Sequence, residues 1–369
     1  MTLILTFLGK GGTGRTTVAI AAAKRFVQSG KRVLLAIQDC GPAPSLLLGF
    51  PLTPDPQQVI SHLFAVQLQA SVLLERSWEQ VKQVESQYLR SPFFKEVYGQ
   101  ELGILPGMDQ ALGLNQLREY EARGDYDVII YDGIGDQITL RMLGIPEILS
   151  WYVRRFRQVL TASDFGKTLG PLLQPLLGTV LNVDWATDLF AQPAHLAGDI
   201  LSQGKAAIAD PHRVLAYLIT TGDPAAIATA RYLWGSAQQI GLTVGGVLLN
   251  QGIPHCGSSL QADAFSPLVL THLPAHTASD WQPLISALPS LTPNPSVPRP
   301  MTINLIERQV SLFLPGFNKS QVTLTQSGPD VTIEAGDQRH NIALPPELAG
   351  QPVTAAKFHN SYLVITFAK

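Results

Sequence analysis

Short apolar runs recur along the first 288 residues, at 3–8, 33–37, 102–105, 127–131, 215–221, 244–250 and 268–273. Most are continuous rather than alternating, the pattern of strands covered on both faces. Longer stretches of helical period separate them, beginning with residues 16–28, which stop before Gly30. Strands alternating with helices predict an α/β fold with a doubly wound parallel sheet. One long connection, about 142–213, interrupts the rhythm; it reads as a helical insertion rich in Leu, Trp and Phe. It serves either as packing on the domain or a dimer, or as a groove for an apolar client. Five prolines between residues 289 and 300 predict an extended, semi-rigid linker. Beyond it, in 301–369, the period changes to two at Val322/Leu324, Val331/Ile333, Ile342/Leu344 and Leu363/Ile365/Phe367. Glycines and the Pro345-Pro346 pair punctuate these runs, predicting a C-terminal antiparallel all-β domain.

Charge narrows the choice of partners. Charged residues make up 15% of the 369-residue chain, hydrophobic ones 46%, and net charge is −2. That is not the electrostatic footprint of a nucleic-acid binder. Arg154, Arg155 and Arg157 read as a solvated helix face. Cys40 and Cys256 are far apart, with no zinc spacing and no disulfide framework, as expected in a reducing compartment. No run has the length of a signal peptide's apolar core or of a spanning helix. The expectation is a cytoplasmic protein that is not integral to a membrane.

The strongest chemical signal is Gly9-Lys10-Gly11-Gly12-Thr13-Gly14-Arg15-Thr16-Thr17, between a strand and a helix. In that context glycines let backbone amides converge on a phosphate, and the helix N-terminus adds partial positive charge. Thr16 sits where a hydroxyl can coordinate Mg2+. Arg15 stands where the usual P-loop pattern has lysine; it keeps the charge but is longer and planar. Lys10 is a second cation in the same loop.

The reading GKGGTGRT resembles the deviant phosphate loop, GKGGVGKT, of the ArsA family. That family includes arsenical-pump ATPases and the ATPases that target tail-anchored membrane proteins. Residues 132–143 are similar to the family's switch II, and Leu248-Leu249-Asn250-Gln251 to its VNQ motif. The resemblance implies ATP/ADP and Mg2+ as cofactors, bound by residues 9–17. Asp132 would hold the metal through water and Asn250 would contact adenine. Lys10 would reach the nucleotide of the opposite subunit, which implies a homodimer. It also implies a hydrophobic protein client, such as a transmembrane segment. The family's water-polarising Asp, in DPAHSL, is here Gly41, and its His is Pro44. Asp39 and Asp136 are the alternative catalytic carboxylates, unless Asp39 only caps its turn. Arg15 and Gly41 together favour binding over fast hydrolysis, so slow ATPase activity is expected, with a nucleotide-binding module lacking turnover as the alternative. Two remote cysteines cannot supply a three-thiol arsenite site.

The tail also carries a resemblance. Residues 310–317, 331–336 and 355–367 are similar to strands of the small heat-shock (α-crystallin) domain. This implies a β-sandwich, either with edges and grooves that accept apolar segments or as a plain β-domain without client binding.

Overall fold

The computed structural model describes residues 2–88, 104, 107–162, 193–250, 264–276, 280–327, 330–342 and 344–368. An eight-stranded sheet has the order β3-β4-β2-β5-β1-β6-β7-β8. Its strands are β1 (Leu3–Leu8), β2 (Val33–Ile37), β3 (Gln57–Ile60), β4 (Leu63–Gln67), β5 (Val128–Asp132), β6 (Val214–Thr220), β7 (Val244–Asn250) and β8 (Leu270–Leu273). All pairings are parallel except β3 with β4. The doubly wound sheet expected from the apolar runs is present.

The continuity of those runs follows from burial on both faces. On β1, Leu5 and Phe7 enter one core with α1 (Arg15–Gln28), while Leu8 enters the other. The second core is roofed by α3 (Ala70–Tyr88), α4 (Met108–Arg123), α5 (Gln137–Ala162), α6 (Pro193–Ala209) and α7 (Pro224–Gln239). α2 (Ala43–Leu48) and α8 (Gln282–Ala287) complete the α1 layer. α1 and α7 therefore lie on opposite faces, and the winding reverses beside β1. Ligands of such sheets bind at that reversal, beyond the carboxyl ends of the strands.

Three expectations change. β3 and β4 form a hairpin that the apolar pattern did not announce; its turn residue, His62, adopts φ 64°. The run 102–105 falls mostly outside the described residues, and Ile104, which is described, belongs to no strand. The 142–213 connection is not a separate insertion at its start, because α5 begins at Gln137 and runs unbroken past residue 142. Phe156, Leu172, Leu173, Leu176, Leu177, Trp185 and Phe190 lie outside the described side chains, as do Arg154, Arg155 and Arg157.

The tail is two antiparallel sheets, ordered β14-β15-β10-β9 and β11-β12-β13. Their strands are β9 (Met301–Asn304), β10 (Gln309–Phe313), β11 (Val322–Ser327), β12 (Asp330–Ala335), β13 (Gln338–Ile342), β14 (Val353–His359) and β15 (Tyr362–Phe367). Val310, Leu312, Ile333, Leu363 and Ile365 share its core. Phe313 points the other way, into the core of the first domain, with its ring 5.4 Å from Trp234. Residues 289–300 are not a free spacer. Leu291 is wholly buried against α8, and the Pro300 carbonyl accepts from the Phe313 N–H at 3.0 Å.

Candidate active site

The loop after β1 has its shape dictated by contacts that exclude side chains. A Cβ on Gly9 would stand 2.2 Å from the Ile219 carbonyl oxygen. The Thr13 hydroxyl donates to the Lys10 carbonyl at 2.8 Å and closes the loop. Gly14 has φ 92°, and a Cβ there would meet Asn250 Nδ2 at 2.4 Å. That amide donates to the Thr13 carbonyl at 2.9 Å, so Asn250 braces the loop from the end of β7. α1 then starts with no side-chain cap and no acidic residue in its first turn. The first-turn amides at Arg15, Thr16 and Thr17 are thus free to receive an anion.

Arg15 does not extend along the loop. Its Nη1 donates to the Gly9 carbonyl at 2.5 Å. Burial lowers its pKa, and the Asp132 and Asp136 carboxylates pull it back up. A guanidinium stays charged there, so the positive charge sits beneath the loop, beside switch II. The Gly9 N–H donates to the Gly135 carbonyl at 2.9 Å. Gly135 has φ 67°, and a Cβ would lie 2.7 Å from Arg15 Cδ and from the Phe7 carbonyl. Its N–H donates to Thr139 Oγ1 at 2.8 Å. Loop and switch II are therefore interlocked through Gly9, Arg15 and Gly135.

Asp132 ends β5 and is 4% exposed. Burial raises its pKa to about 6, against the Thr16 hydrogen bond and the Arg15 charge, which lower it. It is ionised at neutral pH. One hydroxyl and one carboxylate, neighbours beside a phosphate loop, are the hard oxygen donors that Mg2+ takes while keeping several waters. Thr16 and Asp132 fit that ion. Among the described residues, no group of three His, Cys, Asp or Glu side chains could hold another metal.

The catalytic candidates lie at the rim. Asp39 is exposed; its Oδ1 accepts from the Gly41 N–H at 2.7 Å, closing the turn after β2. A Cβ on Gly41 would be 3.0 Å from that oxygen. Asp136 Oδ1 accepts from the Ile138 N–H at 2.8 Å at the head of α5. Both carboxylates act on the centre, Asp39 raising the Asp132 pKa and Asp136 raising that of Arg15. Lys10 is exposed, and its ammonium has no partner among the described residues. The structure thus brings residues 9–17, Asp132 and Asn250 together, with Asp39 and Asp136 flanking them.

Sequence reasoning missed the supports. Thr139 fixes Gly135; its only signal was a hydroxyl residue four places after a glycine. Gln67 Nε2 donates to the Asp39 carbonyl at 2.9 Å. Gln137 Nε2 donates to Ser236 Oγ at 2.7 Å, and its Oε1 accepts from Gln338 Nε2 at 2.8 Å. Gln137 thereby ties switch II to both α7 and the tail. Beside it, Arg141 is paired with Asp337 of the β12–β13 turn.

Comparison with known sequences decides the family. Residues 2–265 match the family described as anion-transporting ATPase. The chain belongs to the anion-transporting ATPase (ArsA) family. Residues 307–367 match the HSP20-like domain found in ArsA, in agreement with the two tail sheets. A "Putative arsenical pump-driving ATPase" of Chlorobaculum tepidum is 34% identical over 158 residues, 42% of this chain and 38% of that protein. An "ATPase GET3" of Malassezia globosa is 28% identical over 170 residues, covering 45% and 47% of the two chains. A Streptomyces coelicolor protein of uncharacterized function is 26% identical over 392 aligned positions, spanning 100% of this chain and 97% of its own. The match thus spans about two fifths of the arsenical pump-driving relative and 97% of the Streptomyces protein. Among the described residues, no ArsA-family helix here is long and apolar enough to cross a membrane.

Proposed function

We propose that this chain binds ATP and ADP with Mg2+ at residues 9–17, hydrolyses ATP slowly, and uses its nucleotide state to gate a hydrophobic protein client. The observation that carries the gating is the shared switch. The segment that holds Asp132 and touches the loop at Gly135 continues directly into α5, and its Gln137 is hydrogen-bonded to the tail. A shift driven by a γ-phosphate at the loop would therefore reach α5 and the β-sandwich together.

Mg2+, held by the Thr16 hydroxyl and through water by Asp132, would neutralise charge developing on the β- and γ-phosphates. The first-turn amides of α1 bind and orient those phosphates, and the Arg15 charge beneath the loop adds positive potential. Lys10, unpaired and exposed, is free to reach a nucleotide across a homodimer interface. Asn250, beside the loop, retains a carbonyl oxygen for the base. Slow turnover follows from Gly41, since a positioned acid–base group contributes roughly 10²–10⁴-fold. Asp39 and Asp136 are both already accepting backbone N–H bonds. That engagement favours the second reading, a nucleotide-binding module without effective hydrolysis.

Calorimetry with Mg·ATP, followed by phosphate release, tests this. Wild type should bind, Thr16→Ala should lose the Mg2+ dependence, and Lys10→Ala should bind but not hydrolyse. Hydrolysis unchanged in Lys10→Ala would refute the cross-subunit role, and absence of binding at millimolar ligand would refute the proposal.

A further inference from the structure

At the far side of the first domain, α4, α5 and α6 line a partly open pocket of about 190 Å3 beside the N-terminal ends of β1 and β6. The phosphate loop leaves β1 at its opposite end. Leu114, Leu117, Leu143, Ile145, Ile200 and Val214 make up much of the wall. The hollow is bounded by tight packing: Pro146 of α5 faces Gly204 of α6, where a Cβ would come within 3.0 Å of the proline ring. A concave apolar pocket with few polar groups is the usual form of a small-molecule site.

Asn115, Arg118, Glu121, Gln203 and Arg213 are the polar residues of the lining. Arg213 Nη2 is paired with Glu121 Oε1 at 2.6 Å, and the two charges cancel. Arg118 is different. Its Nε and Nη2 donate to the neutral Asn115 Oδ1 at 3.3 and 2.9 Å. Among the described residues it has no carboxylate partner. The cavity is therefore an apolar hollow with one uncompensated guanidinium at its rim. A guanidinium presents a planar fork of donors that matches a carboxylate. At about 30 Å3 per water-sized group, the pocket holds roughly six carbons, and a longer chain continues through its open side.

We propose that this cavity binds a free medium-chain carboxylate, with its alkyl chain among α4, α5 and α6 and its carboxylate on Arg118. This is independent of the nucleotide reading, because none of the described residues lining the pocket belongs to the phosphate loop. The cavity does border α5, so occupancy bears on the helix that leaves switch II.

Calorimetry on the full chain tests it, with octanoate as the probe and octanol and octylamine as controls. Wild type should bind octanoate saturably at one site, octanol more weakly and octylamine not at all. Arg118→Gln should weaken octanoate tenfold or more and leave octanol unchanged, and Arg118→Lys should restore part of the loss. Ala207→Phe, which fills the hollow, should abolish both; thermal unfolding checks that this variant folds. Arg118 lies at the half-exposed rim, so its variants keep the test decisive if Ala207→Phe does not fold. No octanoate binding by wild type, equal binding of octanol, or octanoate binding indifferent to Arg118→Gln would each overturn the proposal.

Discussion

Gly135 is the residue on which the loop and switch II depend most directly. Its positive φ and the 2.7 Å approach of Arg15 and the Phe7 carbonyl leave no place for a side chain. Gly135→Ala should cost about 1–3 kcal/mol of stability, the range for backbone strain, and should weaken Mg·ATP at least tenfold; urea unfolding and calorimetry read the two effects. Asp132 shows the opposite balance. Its pKa is about 6 when folded, against an ordinary 3.8. The folded state holds the proton more tightly, so this contribution to stability is present below pH 4 and is lost as pH rises through 6. At pH 7 the charged group costs on the order of 3 kcal/mol. Asp132→Asn should therefore raise the melting temperature of the nucleotide-free protein at pH 7, have no such effect near pH 4, and abolish Mg2+-dependent binding. A variant that melts lower at pH 7 would show that the carboxylate stabilises the fold.

The elements differ in how well they could be read from the chain. β1, β2 and β5 were legible because both faces are buried and their positions are apolar save for Thr6 and Asp132. β3 and β4 were not, since their turn uses His62 at positive φ in place of a glycine or asparagine signal. The loop was legible because its glycines lie between a strand and a helix; the ArsA resemblance supplied the roles of Lys10, Asp132 and Asn250. The docking of the tail was illegible, because neither Phe313, which packs on Trp234, nor the Gln137–Gln338 pair carries a periodic signal that says which domain it faces. Prolines were read as a spacer because they fix φ, yet the segment they bracket inserts Leu291 into a core. Two outcomes follow at this scale. Phe313→Ala, at the face shared by Trp234 and Tyr362, should cost about 3–5 kcal/mol in thermal or urea unfolding. An effect near zero would mean that the tail is not docked in solution. At the α5–α6–β13 contact, His340 Nδ1 lies 3.3 Å from Glu147 Oε2, and Glu147 Oε1 accepts from Lys205 Nζ at 2.9 Å. Burial lowers the His340 pKa, with Lys205 adding to the fall and Glu147 opposing it. Below about pH 6.5 the unfolded chain takes a proton that the folded one refuses, so stability is lost as pH falls from there towards the folded pKa. His340→Asn should flatten the melting temperature between pH 7 and pH 5, and an unchanged slope would remove His340 from the contact.

For the whole molecule, the layout is a phosphate loop whose switch segment reaches two surfaces. Through α5 it enters the helical layer; through Gln137 and Arg141 it holds the turn between β12 and β13. The unpaired Lys10 and the low charge content suit a partner copy facing the loop. Wild type should therefore sediment as a dimer with Mg·ATP, and Lys10→Ala should lose the response to ATP; a monomer under both conditions would rule out the facing arrangement. Coupling through switch II is tested most directly by amide hydrogen exchange of the full chain with and without Mg·ATP. Coupling requires altered protection at residues 9–17, at 135–141 and, 200 positions away, at 335–340 in the tail. Protection confined to residues 9–17, with the tail turn unchanged, would contradict it.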